Sequence, residues 1–172
     1  REQGVQPHDI EDIEALVPAQ TIPVIYEPAE RKKRPANSYD AQFSVPYLVA
    51  AAFVTGRLTI EEVEDPNLQD PEVLSLAARV RCAPDPHSAF PAAFSGELSV
   101  TLKNGRSLRH REAVNRGAAD RPLSNQDIVH KFRADAGVDG ATDTVERAIL
   151  GLDSARSVAQ ALQALRCQSP WK

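Results

Sequence analysis

The amino-acid sequence predicts an α+β fold: a small antiparallel sheet with helices packed on one face, followed by C-terminal helices. Three observations carry that expectation. Val45–Val54 holds no charged side chain and lies between Ser44 and Gly56. Leu98, Val100 and Leu102 alternate with other residues and lead into Asn104-Gly105. Beyond Ser124, apolar residues recur at helical spacing in successive stretches.

Taken in order, Ile13–Val17 suits a short strand, yet Ile10, Ile13 and Leu16 are also spaced as on a helix. So short a run leaves both open. Pro18, Pro23, Pro28 and Pro35 then punctuate a stretch expected to be extended, not helical. The run from Val45 is expected to be a buried helix with no face left for water. Ser44 can cap it by accepting from a first-turn N–H. Pro46 sits where amides have no helical partner to lose, and Gly56 can close the helix in the left-handed conformation. Glu61, Glu62, Glu64 and Asp65 read as a solvated acidic face. Asp70 caps a further helix that begins at Pro71 and carries Val73, Leu76, Ala77 and Val80 as its buried stripe. The proline-rich stretch from Ala83 to Ala93 reads as a loop.

Asn104-Gly105 marks a hairpin after the alternating strand. A two-residue turn would set Val100 opposite Arg109. A three-residue loop ending with Gly105 in the left-handed conformation pairs Val100 with Leu108 instead. One slip exchanges the two faces, so the three-residue loop is expected. Ser124-Asn-Gln-Asp127 resembles a capping box with Asp in the acidic position. It opens a helix lined by Ile128, Val129, Phe132 and Ala136 and closed by Gly137. Val145, Ala148, Ile149 and Leu152 stripe the next helix, and Val158, Ala161, Leu162 and Leu165 the last, with Gly151 and Asp153 between them. Residues 1–137 form the expected α+β domain, and 138–172 the terminal helices.

A chain of 172 residues can form one domain and bury about 70% of its unfolded surface. Its net charge of -4 argues against nucleic acid, which calls for a basic face. Cys82 and Cys167 form no pattern, so a reduced, cytoplasmic setting is expected. No signal peptide or membrane span is read. The chain begins at Arg1 and contains no methionine, which reads as a domain cut from a longer protein, a processed piece or a split gene.

Several motifs stand in a familiar order. Asp40-Ala-Gln-Phe-Ser-Val-Pro-Tyr47 with the alanine-rich run to Gly56, then Asp70–Val80, Val100–Arg106, Arg116-Gly117, Pro122–Ser124 and Lys131–Arg133 resemble the C-terminal portion of the MmgE/PrpD family. The resemblance covers roughly residues 10–135 and favours a strand at Ile13–Val17. It implies part of a 2-methylcitrate dehydratase-like lyase, or an isomerase, acting on a small polycarboxylate. It implies no metal or organic cofactor, a homodimer, and a helical N-terminal domain that holds most of the catalytic groups. The terminal helices would pack on that domain.

Self-contained chemistry is not legible. There is no nucleophile elbow, phosphate loop or dinucleotide fingerprint. His8, His87, His110 and His130 lack metal-ligand spacing. Cys82 has no assignable base and suits strand packing. Arg31-Lys-Lys-Arg34 reads as a solvated loop or as a rim that attracts anions. From the resemblance, Tyr26 is the candidate catalytic residue, a phenol able to move a proton. Ser44, at the head of the buried helix, is the candidate substrate-binding residue. The competing readings are a half-buried packing role for Tyr26 and plain capping for Ser44. Two other functions stand beside the family reading: a non-catalytic dimerisation module using the terminal stripes, and a small enzyme built on Cys82 or Tyr26.

Overall fold

Ile10–Val17 resolves as a strand, β1, with Ile10, Ile13, Ala15 and Val17 buried. A register shift between Ile10 and Asp12 turns Ile10 to the same face as Ile13. That irregularity produces the three-residue spacing that imitates a helix. The computed structural model describes residues 4–136, 140–154 and 157–159.

After β1 come three short helices, α1 (Ile22–Ile25), α2 (Ala29–Lys33) and α3 (Ser38–Gln42). The stretch expected to be extended is therefore partly helical. Pro23 stands in the first turn of α1 and Pro28 caps α2, positions where the missing N–H costs no helical bond. The long helix α4 (Val45–Thr55) and the shorter α5 (Pro71–Ala77) follow, then strands β2 (Val80–Pro84), β3 (Gly96–Leu102) and β4 (Ser107–Glu112). Helices α6 (Asn125–Ala136) and α7 (Gly140–Leu150) complete the described elements. The chain divides into two compact units, residues 1–122 and 123–172.

The fold is α+β, as expected. The sheet runs β2-β1-β3-β4, with β1, β3 and β4 antiparallel and β2 parallel to β1. The parallel edge is an addition to the purely antiparallel sheet that the sequence predicted. Val80 fits the helical stripe of α5, but the helix stops at Ala77 and Val80 opens β2 opposite Ile13. Arg79 donates to the Ile10 carbonyl at this corner. The hairpin holds the expected register, Val100 opposite Leu108, with Gly105 at φ 84° and its N–H on the Leu102 carbonyl at 2.8 Å.

One face of the sheet receives the helices. Ile10, Ile13, Val80, Val100 and Leu102 pack with Tyr47, Ala50 and Ala51 of α4 and Val73, Leu76 and Ala77 of α5. Helix α4 carries the expected caps: Ser44 Oγ accepts from Tyr47 N at 3.1 Å, and Gly56 closes it at φ 74°. It is not dry all round, however. Pro46, Tyr47, Ala50 and Ala51 are buried, whereas Val49 and Phe53 are half-buried against the core.

The opposite face is a layer of ion pairs. Arg81 grips Asp12 through two bonds of 3.0 and 2.9 Å. Arg111 grips Asp85 through bonds of 3.0 and 2.8 Å and reaches Glu97 at 3.4 Å. Asp85 and Glu97 are both nearly inaccessible. The Arg111 fork, then Ser95 and the His87 amide, hold the Asp85 carboxyl far below its ordinary range against the opposing effect of burial. Arg109 first, with Arg111, lowers the pKa of Glu97, again against the effect of burial. The segment Glu61–Asp65 likewise departs from a simple solvated face. Glu62 is buried. Burial alone would raise its pKa, but Thr59 and Arg57 outweigh it and lower the value.

In the second unit the Ser124–Asp127 capping box forms as expected, with reciprocal bonds of 3.1 Å. Arg133 joins α6 to Glu146 of α7 at 2.6 Å. The apolar stripes are covered only in part: Ile128 is 52% and Ile149 45% exposed, while Val129, Phe132, Val145 and Ala148 are half-buried. Gly137 and the stripe of the last helix beyond Val158 lie outside the described residues.

Leu76→Ala is expected to cost about 2–5 kcal/mol, because a fully buried side chain leaves a cavity between α5 and the sheet; urea unfolding measures it. The depressed carboxyls set the acid behaviour. Their stabilisation is complete above the ordinary carboxylate range near pH 4 and is lost as pH falls through their lowered folded values. Asp85→Asn should therefore lower Tm at pH 7 and flatten the decline of Tm below about pH 4, read by thermal melts across pH.

Candidate functional site

The sequence's two candidates lie on different elements, Tyr26 at the end of α1 and Ser44 at the head of α4, and among the described residues no hydrogen bond joins them. Tyr26 ends α1 and is half-buried. It contributes to raising the pKa of both Lys33 and Arg81, so its phenol lies within electrostatic range of two cations. Those cations have carboxylate partners. Hydrogen bonding to Glu30, at 2.8 Å, is the main effect that raises Lys33, and the Asp12 fork is the main effect on Arg81.

Ser44 is fully buried. Its hydroxyl donates to the Lys32 carbonyl while its oxygen accepts from Tyr47 N. Lys32 returns the tie, its Nζ donating to the Phe43 carbonyl at 2.7 Å. Helix α2 is thereby fastened to the head of α4 by a reciprocal pair of bonds. Tyr47 secures the next turn outward. Its buried hydroxyl donates to the Glu62 carbonyl at 2.8 Å, and burial is the first cause of its raised pKa.

The basic run Arg31–Arg34 therefore divides. Arg31 pairs with Asp40 at 3.1 Å, Lys32 holds Phe43, and Lys33 pairs with Glu30. Among the described residues Arg34 has no ion pair or side-chain hydrogen bond. Lys33 and Arg34 border a groove of about 630 Å³, whose other wall is Pro71, Leu74, Ser75 and Ala78 of α5 and its C-cap. The sequence marked these cations but not their groove, which exists only once α5 is folded beside α2.

Cys82 lies half-buried in β2 opposite Ala15, and burial pushes its thiol up to about 12. A thiol so protonated is a poor nucleophile. No group of three His, Cys, Asp or Glu side chains able to hold a metal occurs among the described residues. No helix among them is long and apolar enough to cross a membrane. The Arg111–Asp85–Glu97 network was missed in the sequence although the expected register contains it: with Val100 opposite Leu108, Glu97 falls opposite Arg111.

The model of the MmgE/PrpD C-terminal domain matches residues 1–151. Cis-aconitate decarboxylase of Mus musculus is 31% identical over 117 residues, 67% of this chain and 24% of that protein. The Homo sapiens cis-aconitate decarboxylase is 32% identical over the same shares. 2-Methylcitrate dehydratase of Cupriavidus necator is 28% identical over 109 residues, 60% of this chain and 20% of that protein. The chain thus spans about a quarter of the length of the curated relatives it matches.

Ser44→Ala removes the cap on Tyr47 N and the bond to the Lys32 carbonyl and is expected to cost about 1–2 kcal/mol. Ser44→Thr should recover less than half of this, because the added methyl has no room in a fully buried site; paired denaturant titrations compare the two.

Proposed function

The chain belongs to the MmgE/PrpD family, and we propose that it is the C-terminal domain of a lyase or isomerase acting on a small polycarboxylate. On this reading it closes one wall of a site whose other groups lie in an upstream helical domain, in a cytoplasmic homodimer. No metal or organic cofactor takes part. Tyr26 carries the proposal: a half-buried phenol within range of Lys33 and Arg81 has cations beside it. A phenol can donate or accept a proton and cations attract carboxylates, the two needs of proton transfer at a polyanionic substrate. Ser44 contributes from the head of α4. Its hydroxyl is engaged by Lys32 and Tyr47, so a substrate carboxylate would reach it by exchanging the bond to the Lys32 carbonyl.

In the longer protein that this reading requires, Tyr26→Phe should lower kcat on cis-aconitate or 2-methylcitrate about 100-fold or more. Tm should stay unchanged, since among the described residues the Tyr26 hydroxyl makes no hydrogen bond. Inactivity of the unaltered protein on every small polycarboxylate would overturn the proposal. The exposure of Ile128 and Ile149 favours a second reading, an interaction module that pairs through α6 and α7. Sedimentation at several concentrations tests this second reading, because a strictly monomeric chain excludes self-pairing through those stripes.

A further inference from the structure

We propose that the groove between α2 and α5 is an anion site for a small aliphatic di- or tricarboxylate. Its lining includes neither Tyr26 nor Ser44, and Lys33 is the residue it shares with the reading above. Three features of the groove argue for it.

The first is the division of the basic run. Three of its cations are held by partners on α2, α3 or the α3–α4 corner, while Arg34 stands at the groove with no side-chain partner among the described residues. A guanidinium offers a planar fork of donors that matches a carboxylate in a two-bond geometry. The second is the pairing of Lys33 with Glu30 inside the same groove. That bond keeps the ammonium charged and within reach, and an incoming carboxylate can replace Glu30 as its partner. The third is the opposite wall. Pro71, Leu74 and Ala78 present hydrocarbon to the groove, and Ser75 adds a hydroxyl at the rim. A short aliphatic body fits between that wall and the two cations, with one carboxylate on Arg34 and another on Lys33. The volume of about 630 Å³ is within the range of small-molecule sites.

The groove is also anchored where it needs to be. Ser44 and Lys32 lock α2 to α4, and Arg31 locks it to Asp40 of α3, so Lys33 and Arg34 project from a fixed backbone. The pre-set cations keep the ordering cost of binding small.

Calorimetric titration of the 172-residue protein with tricarballylate, a tricarboxylate with no leaving group, tests the site. Saturable one-to-one binding is expected, together with a rise in Tm. Arg34→Ala should weaken binding at least tenfold and Arg34→Lys should recover only part of the loss. Lys103→Ala, the same charge change on the hairpin loop, should leave affinity unaltered. Ala78→Glu places a carboxylate on an exposed position of the groove wall and should abolish binding without unfolding the chain. Glu30→Gln should strengthen binding severalfold by freeing Lys33. Absence of saturable binding, or equal losses in Arg34→Ala and Lys103→Ala, would overturn the site. Inorganic phosphate binding as tightly, with the same dependence on Arg34, would overturn the carboxylate class. Tyr26→Phe should bind tricarballylate unchanged, so a failed catalytic reading and a failed groove give different results.

Discussion

The hydroxyl of Ser44 is the junction on which the packing of α2 against α4 depends. One oxygen, sealed from solvent, ends the free amide of Tyr47 and gives its proton to the Lys32 carbonyl. Helix capping alone would need only the first bond. The second converts a local cap into a tertiary tie, and Lys32 doubles it by reaching the Phe43 carbonyl. Two short helices that could not persist alone in water are thereby held against a longer one. The groove beside α2 inherits its position from that tie.

The core and the outer sheet face divide the remaining labour. Helices α4 and α5 cover one side with Tyr47, Ala50, Leu76 and their neighbours. Alanine at positions 50 and 51 lets α4 lie close to the sheet. The other side needs no such cover because its charges are matched across strands: Arg81 with Asp12, Arg111 with Asp85 and Glu97. Asp85, at the end of β2, is gripped from β4, so the charged layer joins the parallel edge to the opposite margin.

Local signals made most of the elements legible. The caps at Ser44, Asp70 and Ser124, the closing Gly56 and the left-handed Gly105 each answer to a backbone need confined to a few residues. The hairpin register followed from one added constraint, that Val100 and Leu108 share a face. What escaped was decided at a distance. Strand β2 is short and begins on a residue that fits the preceding stripe; only its pairing with β1 distinguishes it. The helical turns at Ile22–Ile25 and Ala29–Lys33 lie between prolines that tolerate either conformation at a first turn, and α2 is held by contacts to α4. Half the surface of α4 is left to partial exposure, a property of neighbours and not of its own composition. Of the candidate site, the residue types could be nominated from the sequence, but which cation keeps a partner and which faces open space emerges only from packing.

The unusual strand order has a further effect on how copies of this chain can meet. Both margins of the sheet are poor templates for another strand. On one side β2 runs for only five residues and ends at Pro84, which has no amide to offer. On the other, β4 carries the charged side chains of Arg109 and Arg111, which make an edge a poor partner for another strand. Edge-to-edge polymerisation is thus resisted at each rim by a different means, and any durable self-contact is steered away from the backbone toward side-chain surfaces.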